Sequence, residues 1–409
     1  MFWEKKLNEW VEQIRQSAAP PLRLQLWNGQ QFDFGPTAPQ VTVRVPEASA
    51  LTYLLTPSLS NLGTAYVEGK IEVEGRINEV IAVGNALAAH MLKPEGRFAR
   101  LTRRAVHSKE KDAEAIRYHY DVSNEFYGLW LDPNMVYSCA YFENGDETLE
   151  QAQLKKIDHI LTKIQLRPGQ TLLDIGCGWG ALVLRAAQKY GARCVGITLS
   201  ENQYRLARER VERAGLNDRV EIRLQDYRDL DGRFDRITSV GMFEHVGLRN
   251  LPVYFSRIHE LLADDGMAMN HGITTTDPGN GESPFGGGEF IEKYVFPHGE
   301  LPHIGLVLKT MQESGLEGFD IENLRRHYAH TCGIWADNFE RQADAIRKTV
   351  DDRRFRIWRV YLGGCSYAFE QGWVALHQVV CTKAGRPAST LPWSRRYIYE
   401  RQDAPLSPA

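Results

Sequence analysis

The stretch Leu172-Leu173-Asp174-Ile175-Gly176-Cys177-Gly178-Trp179-Gly180 reads as an apolar strand running directly into a glycine turn that opens a helix. Glycines permit the tight turn and let a flat ligand lie against the main chain, so a cofactor pocket is expected at residue 176. Spacing alone leaves the ligand open, because Gly176, Gly178 and Ala181 also satisfy the looser dinucleotide pattern G-x-G-x-x-G/A. Asp174, two residues before the first glycine, favours S-adenosylmethionine. So does the next strand, Arg193 to Thr198, which runs out in Ile197-Thr198-Leu199-Ser200. A dinucleotide site wants a ribose-binding Asp or Glu near residue 197. A structural glycine turn and a nicotinamide site are the alternatives.

Downstream, strand-like runs at 193–197, 220–224, 234–240 and 267–273 alternate with helical patterns at 201–214 and 251–262. This predicts an α/β fold, a Rossmann-like doubly wound parallel sheet with ligands at the carboxyl ends of its strands. The polar groups at those ends are Asp226 and Tyr227, then Glu244 and His245, then His271. His245 is expected to brace the turn beside Glu244. Residues 274–300, rich in Gly and Pro, are expected to form an inserted mobile lid, with a floppy loop as the alternative. Upstream, a helix from about Thr148 to Leu166 leads into the organising strand. It follows a dense aromatic region: Tyr118-His119-Tyr120-Asp121, Phe126, Tyr127, Trp130 and Tyr137-Ser138-Cys139-Ala140-Tyr141-Phe142. Aromatic faces attract a cationic sulfonium. Further on, Tyr328 and Trp335 lie on a helical stretch, and 376–382 reads as a last strand.

At 409 residues and 43% hydrophobic content the chain can bury a full core. The expected division is an N-terminal α+β domain (1–95), a basic linker (96–115), a catalytic domain (116–385) and an extended tail (386–409). Trp3, Leu7, Trp10, Val11 and Ile14 recur at helical spacing, a stripe that usually packs on its own domain. Runs at 22–26 and 41–45 read as strands. A net charge of −3 gives no overall attraction to nucleic acid or membrane. The six basic residues between Arg97 and Lys111, against Glu110 alone, would suit anionic head groups locally. They lack the features of a nucleic-acid module. Scattered cysteines without a C-x-x-C pair, and an N-terminus without secretory character, fit a reduced cytoplasmic protein with no metal site.

From about Tyr118 to Lys383 the chain resembles the cyclopropane-fatty-acyl-phospholipid synthases and the related mycolic acid cyclopropane synthases. The strings that carry the resemblance are Tyr118-His119-Tyr120-Asp121, Tyr137 to Phe142, Leu173 to Gly180, Gly241-Met242-Phe243-Glu244-His245-Val246-Gly247 and Lys293-Tyr294-Val295-Phe296-Pro297. It departs from the phospholipid synthases at Ala140, where they have glycine, and at His327-Tyr328-Ala329-His330, where they have an Asp-Tyr-Asp string. The N-terminal 90 residues or so resemble the synthases' lipid-binding domain, which favours a phospholipid over a carrier-bound acyl chain.

The resemblance implies that Tyr137, Ser138, Gly176, Thr198, Gln203 and Tyr227 line the adenosylmethionine pocket, beside Asp174, Gly178, Leu199 and Asp226 from the strand ends. It also implies a bicarbonate held by Cys139, Glu244, His271, Ile273 and Tyr328, with His271 and Ile273 acting mainly through backbone groups. The implied reaction is methylene transfer to a cis double bond of a phospholipid acyl chain. Glu244 would accept the anion's proton, and faces such as Tyr120, Phe142 and Tyr294 would stabilise the acyl cation. The expected setting is peripheral contact with a phospholipid bilayer at the inner membrane surface, and membrane work by a protein of this soluble composition suggests a homodimer. The alternatives are C-methylation to a branched or exomethylene chain, a non-catalytic lipid-transfer protein, and a small-molecule N- or O-methyltransferase.

Overall fold

A computed structural model describes residues 2–17, 19–91, 122–279, 287–297 and 299–400. The motif Tyr118 to Asp121 and the basic run 97–111 lie outside the described residues. The chain divides into two compact units: Met1–Arg104 with Gly281–Pro297 and Cys332–Trp373, and Ala105–Asn280 with His298–Thr331 and Val374–Ala409.

In the first unit, strands β1 (Leu22–Leu26), β2 (Gln31–Asp33), β3 (Val41–Val45) and β4 (Glu72–Glu74) form a sheet of order β2-β1-β3-β4. Strands β1 and β3 bury alternate residues, as period-2 side chains over one core require. Leu7, Trp10, Val11 and Ile14 of the helix Phe2–Ser17 are buried in that same core. The N-terminal stripe therefore packs on its own domain.

Residues 281–297 and 332–373, which the sequence divided into the catalytic domain, group instead with this unit. Their apolar faces explain the change. Phe290 and Tyr294 of the helix Gly287–Tyr294 are buried with Val67 and Ile357, and Gly63 leaves room for the Phe290 ring, which an added Cβ would meet at 2.6 Å. Within the expected lid, this part is a packed helix, and 280–286 lies outside the described residues. Tyr294 donates to Glu68 at 3.1 Å and belongs to this cluster.

The second unit holds β5 (Thr171–Ile175), β6 (Arg193–Thr198), β7 (Val220–Leu224), β8 (Phe234–Val240), β9 (Leu262–Thr275), β10 (Leu316–Asn323) and β11 (Val374–Lys383). The sheet order is β10-β11-β9-β8-β5-β6-β7. Strands β7, β6, β5, β8 and β9 are parallel, and β11 runs antiparallel to both neighbours. Helices cover both faces. Leu172 packs with the helices Leu149–Lys163, Ala181–Tyr190 and Glu201–Arg213. Leu173 and Ile175 pack with Leu251–Leu261 and Ile304–Glu313 on the other side. Burial on two faces is why Leu172, Leu173 and Ile175 of β5 do not alternate with exposed polar residues.

Two features depart from the sequence expectation. Strand β10 adds Asp320 and Glu322, and Glu322 meets the buried Lys163 at 2.5 Å. Residues 386–400 are folded rather than extended: Arg395 pairs with Asp320 at 2.8 Å, Tyr397 donates to the Lys163 carbonyl at 2.9 Å, and Ile398 is fully buried. These long-range pairings have no local sequence period.

Candidate active site

The turn after β5 places the backbone of Gly176 at φ +81°, and a Cβ there would lie 2.9 Å from Cβ of Met242. Only glycine meets both the left-handed conformation and the close approach. Around this turn one cavity is lined by Tyr137, Ser138, Asp174, Gly176, Gly178, Thr198, Leu199, Gln203, Asp226 and Tyr227. The expected cofactor residues thus share one cavity, because β5, β6 and β7 are adjacent parallel strands with their carboxyl ends on one rim.

Each wall is fixed by local bonds. Asp174 is buried, and its Oδ1 accepts from Thr238 Oγ1 at 2.7 Å. Burial pushes its carboxyl up to about 6, against the opposing effects of the Thr238 bond and of Lys156. Thr198 donates to Gln203 Oε1 at 2.8 Å, and Ser200 caps the helix that carries Gln203. Asp226 is held by Arg228 at 2.7 Å. The Tyr127 ring packs against Tyr137 and Trp179, with centroids 5.7 and 5.0 Å away.

Sequence reasoning missed several lining residues: Lys156, Trp179, Gln225, Arg228 and Met242. His245 also lines the cavity, where the sequence expected it to brace the turn. Lys156 left a signal, a cation inside the apolar stripe Ala152, Ile157, Ile160 of the helix Leu149–Lys163.

The second expected group is built on the ends of β8 and β9. Glu244 Oε1 accepts from the Ile273 amide at 2.7 Å, and Gly241 N donates to the His271 carbonyl at 2.8 Å. Gly272, between them, lies against the Phe243 ring and Glu244 Oε1. Glu244 is half-buried as a residue, yet its Oε2 atom is buried without a hydrogen-bond partner. Burial pushes this carboxyl up to about 7, with the Ile273 amide opposing. The His271 ring is fully buried, its Nδ1 is 3.2 Å from Gln378 Nε2, and burial holds it well below the ordinary imidazole value. Cys139 is fully buried and lies outside the lining of the cofactor cavity. Its Sγ approaches the carbonyls of Ala140 and Leu324 at 3.2 and 3.9 Å. The Leu324 carbonyl also accepts the Tyr328 amide at 3.0 Å, so the thiol borders the start of the helix Arg325–Arg341. Burial raises the Cys139 thiol far above its usual value, so it is not a thiolate nucleophile. Phe142 is buried and edge-on to His330 at 4.5 Å.

The residues of the cavity fit adenosylmethionine. A buried carboxylate and a buried ammonium, Asp174 and Lys156, suit its charged aminoacyl end. The aromatic wall suits a sulfonium, and the glycine turn lets the nucleoside lie against backbone.

A seven-stranded sheet with a single reversed strand, β11, and a glycine-turn pocket after β5 defines the class of adenosylmethionine-dependent methyltransferases. Residues 107–379 match the family described as Mycolic acid cyclopropane synthetase, and the chain belongs to that family. Residues 10–95 match a domain of unknown function. The chain is 49% identical over 387 residues to a "Probable fatty acid methyltransferase" of Pseudomonas putida, covering 94% of this chain and 98% of that protein. A Mycobacterium tuberculosis protein of the same description is 36% identical, with 89% and 91% covered. Among solved structures, the mycolic acid cyclopropane synthase CmaA1 complexed with SAH and CTAB superposes with a TM-score of 0.63 at 35% identity, covering 66% of this chain and 98% of that one.

Proposed function

We propose that the protein transfers a methylene group from adenosylmethionine to the cis double bond of an unsaturated phospholipid acyl chain, closing a cyclopropane ring. The observation that carries this reading is Glu244, a carboxylate with one oxygen fixed by Ile273 and the other buried and unpaired. Bound adenosylmethionine supplies an electrophilic methyl carbon. Tyr137, Ser138, Asp174, Thr198, Gln203 and Asp226 would hold it, and the buried aromatic wall would exclude water. Carbon addition to an alkene leaves a cation that must lose a proton, and a protein nucleophile in contact would be alkylated. Glu244 Oε2 fits that need at one remove: a raised carboxyl accepts a proton near neutral pH.

Bicarbonate is the proposed base between acyl chain and Glu244. The unpaired Oε2 is the acceptor that a bicarbonate hydroxyl requires. Cys139, His271, Ile273 and Tyr328 would complete its site. The Ile273 amide and the His271 carbonyl already serve Glu244 and Gly241, so each would be shared with the anion.

The test is incubation with unsaturated phospholipid vesicles and labelled cofactor, followed by mass and proton NMR analysis of the fatty esters. Ring protons are expected, and unchanged acyl chains would rule the reading out. A second reading, C-methylation to a branched or exomethylene chain, is favoured by the description of the 49% identical relative. The same NMR spectrum separates the products. No helix among the described residues is long and apolar enough to cross a membrane; peripheral contact with a phospholipid bilayer is part of the proposed reading. Vesicle flotation tests that contact, and light scattering tests the proposed homodimer.

A further inference from the structure

Lys156 is a lysine with 2% exposure on the helix Leu149–Lys163, and it lines the cofactor cavity. An ammonium in so dry a place is costly unless hydrogen-bonded and charge-compensated. It donates to Ser138 Oγ at 2.7 Å. Three residues earlier on the same helix face, Gln153 donates to the carbonyls of Val136 and Ser138 at 3.3 and 2.8 Å. The helix thus grips the irregular segment that carries Tyr137 and Ser138 into the cavity. A serine hydroxyl has one hydrogen to give. With its oxygen accepting from a cation, that hydrogen is directed to another acceptor. The cavity also holds the buried carboxylate of Asp174. A cation-backed donor and a buried carboxylate lining one cavity complement an α-amino acid zwitterion.

We propose that Lys156 is a positioning residue that acts through Ser138 Oγ to hold the α-carboxylate of adenosylmethionine. This rests on the adenosylmethionine reading of the cavity and assigns its aminoacyl end to one subsite. The charged and titratable groups that face Lys156 are Asp132, Cys139, Asp174 and, from β9, His271. Burial brings the Lys156 ammonium down to about 8, opposed by the nearby Asp132 and Asp174. Cys139 is raised and His271 lowered, so both stay neutral near that pH. Asp174, at about 6, has ionised below it. Loss of the ammonium proton would then weaken carboxylate binding as pH rises through about 8.

The test compares two ligands by titration calorimetry with the full chain. S-adenosylhomocysteine carries the α-amino acid, whereas 5′-methylthioadenosine is the same thioether nucleoside without it. Lys156→Met should bind S-adenosylhomocysteine about tenfold or more weakly at neutral pH, and methylthioadenosine within about twofold of wild type. The wild-type affinity for S-adenosylhomocysteine should fall above about pH 8, and the variant should lack that fall. Equal losses for both ligands, or none for either, would overturn the proposal and leave Lys156 a structural residue. A wild type that binds neither ligand would instead overturn the adenosylmethionine reading itself. If Lys156→Met fails to fold, Ser138→Ala keeps the ammonium and deletes the relay. It should show the same selective loss, and unchanged S-adenosylhomocysteine affinity would overturn the proposal.

Discussion

Replacing Glu244 with Gln separates what this carboxylate does for turnover from what it does to stability. Its carboxyl stands at about 7 in the folded chain against an ordinary 4.5, chiefly through burial. An acid raised on folding favours the folded state in its protonated form. Its contribution is therefore fully present below about 4.5 and is lost as pH rises through about 7. At about 1.4 kcal/mol per pH unit, the loss across that window reaches up to about 3 kcal/mol. The glutamine side chain of Glu244→Gln would keep the Ile273 bond through its amide oxygen and would bring no charge to bury.

In urea titrations the variant should equal or exceed wild-type stability at about pH 8, by up to about 3 kcal/mol, and lose that advantage near about pH 4.5. Turnover should fall about 100-fold or more, as expected for a lost proton acceptor, with S-adenosylhomocysteine affinity within about twofold. The wild-type rate should rise with pH through about 7 as Glu244 ionises. Parallel stability curves for the two proteins would refute the buried, unpaired carboxylate. Wild-type turnover by the variant would refute its part in the chemistry. A variant that is more stable and inactive would show an unpaired buried carboxylate retained at a cost to the fold.

Gly176→Ala forces a side chain into φ +81° and toward Met242; thermal melts should show a loss of about 1 to 2 kcal/mol, and calorimetry about tenfold weaker S-adenosylhomocysteine binding. Cys139, buried and with a raised thiol, should resist iodoacetamide in the native protein and react only on unfolding; peptide mass mapping reads this, and rapid native labelling would contradict the geometry. Truncation after Pro392 removes the Arg395–Asp320 pair, the Tyr397–Lys163 bond and buried Ile398; it should cost about 2 to 4 kcal/mol in urea unfolding, and an unchanged midpoint would show that this segment adds nothing to the fold.

What the sequence could disclose follows from where the determinants lie. Strand β5 is buried on both faces, so its adjacent apolar residues Leu172, Leu173 and Ile175 and the following glycines carry their meaning locally. Once β6 and β7 are read as its parallel successors, topology alone brings residues 174 to 178, 198 to 203 and 226 to 227 to one rim. Strand β10 was hidden for the opposite reason. Asp320 and Glu322 argue against a strand until their partners Arg395 and Lys163, more than 70 residues later and more than 150 earlier, are known. The helix Gly287–Tyr294 looked like part of a loop because its apolar face is short and its partners, Val67 and Ile357, are far off in sequence. Lys156 lies between these extremes. A lysine within an apolar stripe is usually read as a stem that carries its charge out to water, and no local pattern distinguishes that case from a fully buried ammonium. The distinction comes from the segment folded over it: Ser138 Oγ at 2.7 Å supplies the partner that lets the charge stay inside. The motif around Ser138 and the helix around Lys156 are each legible, but the bond between them exists only in three dimensions.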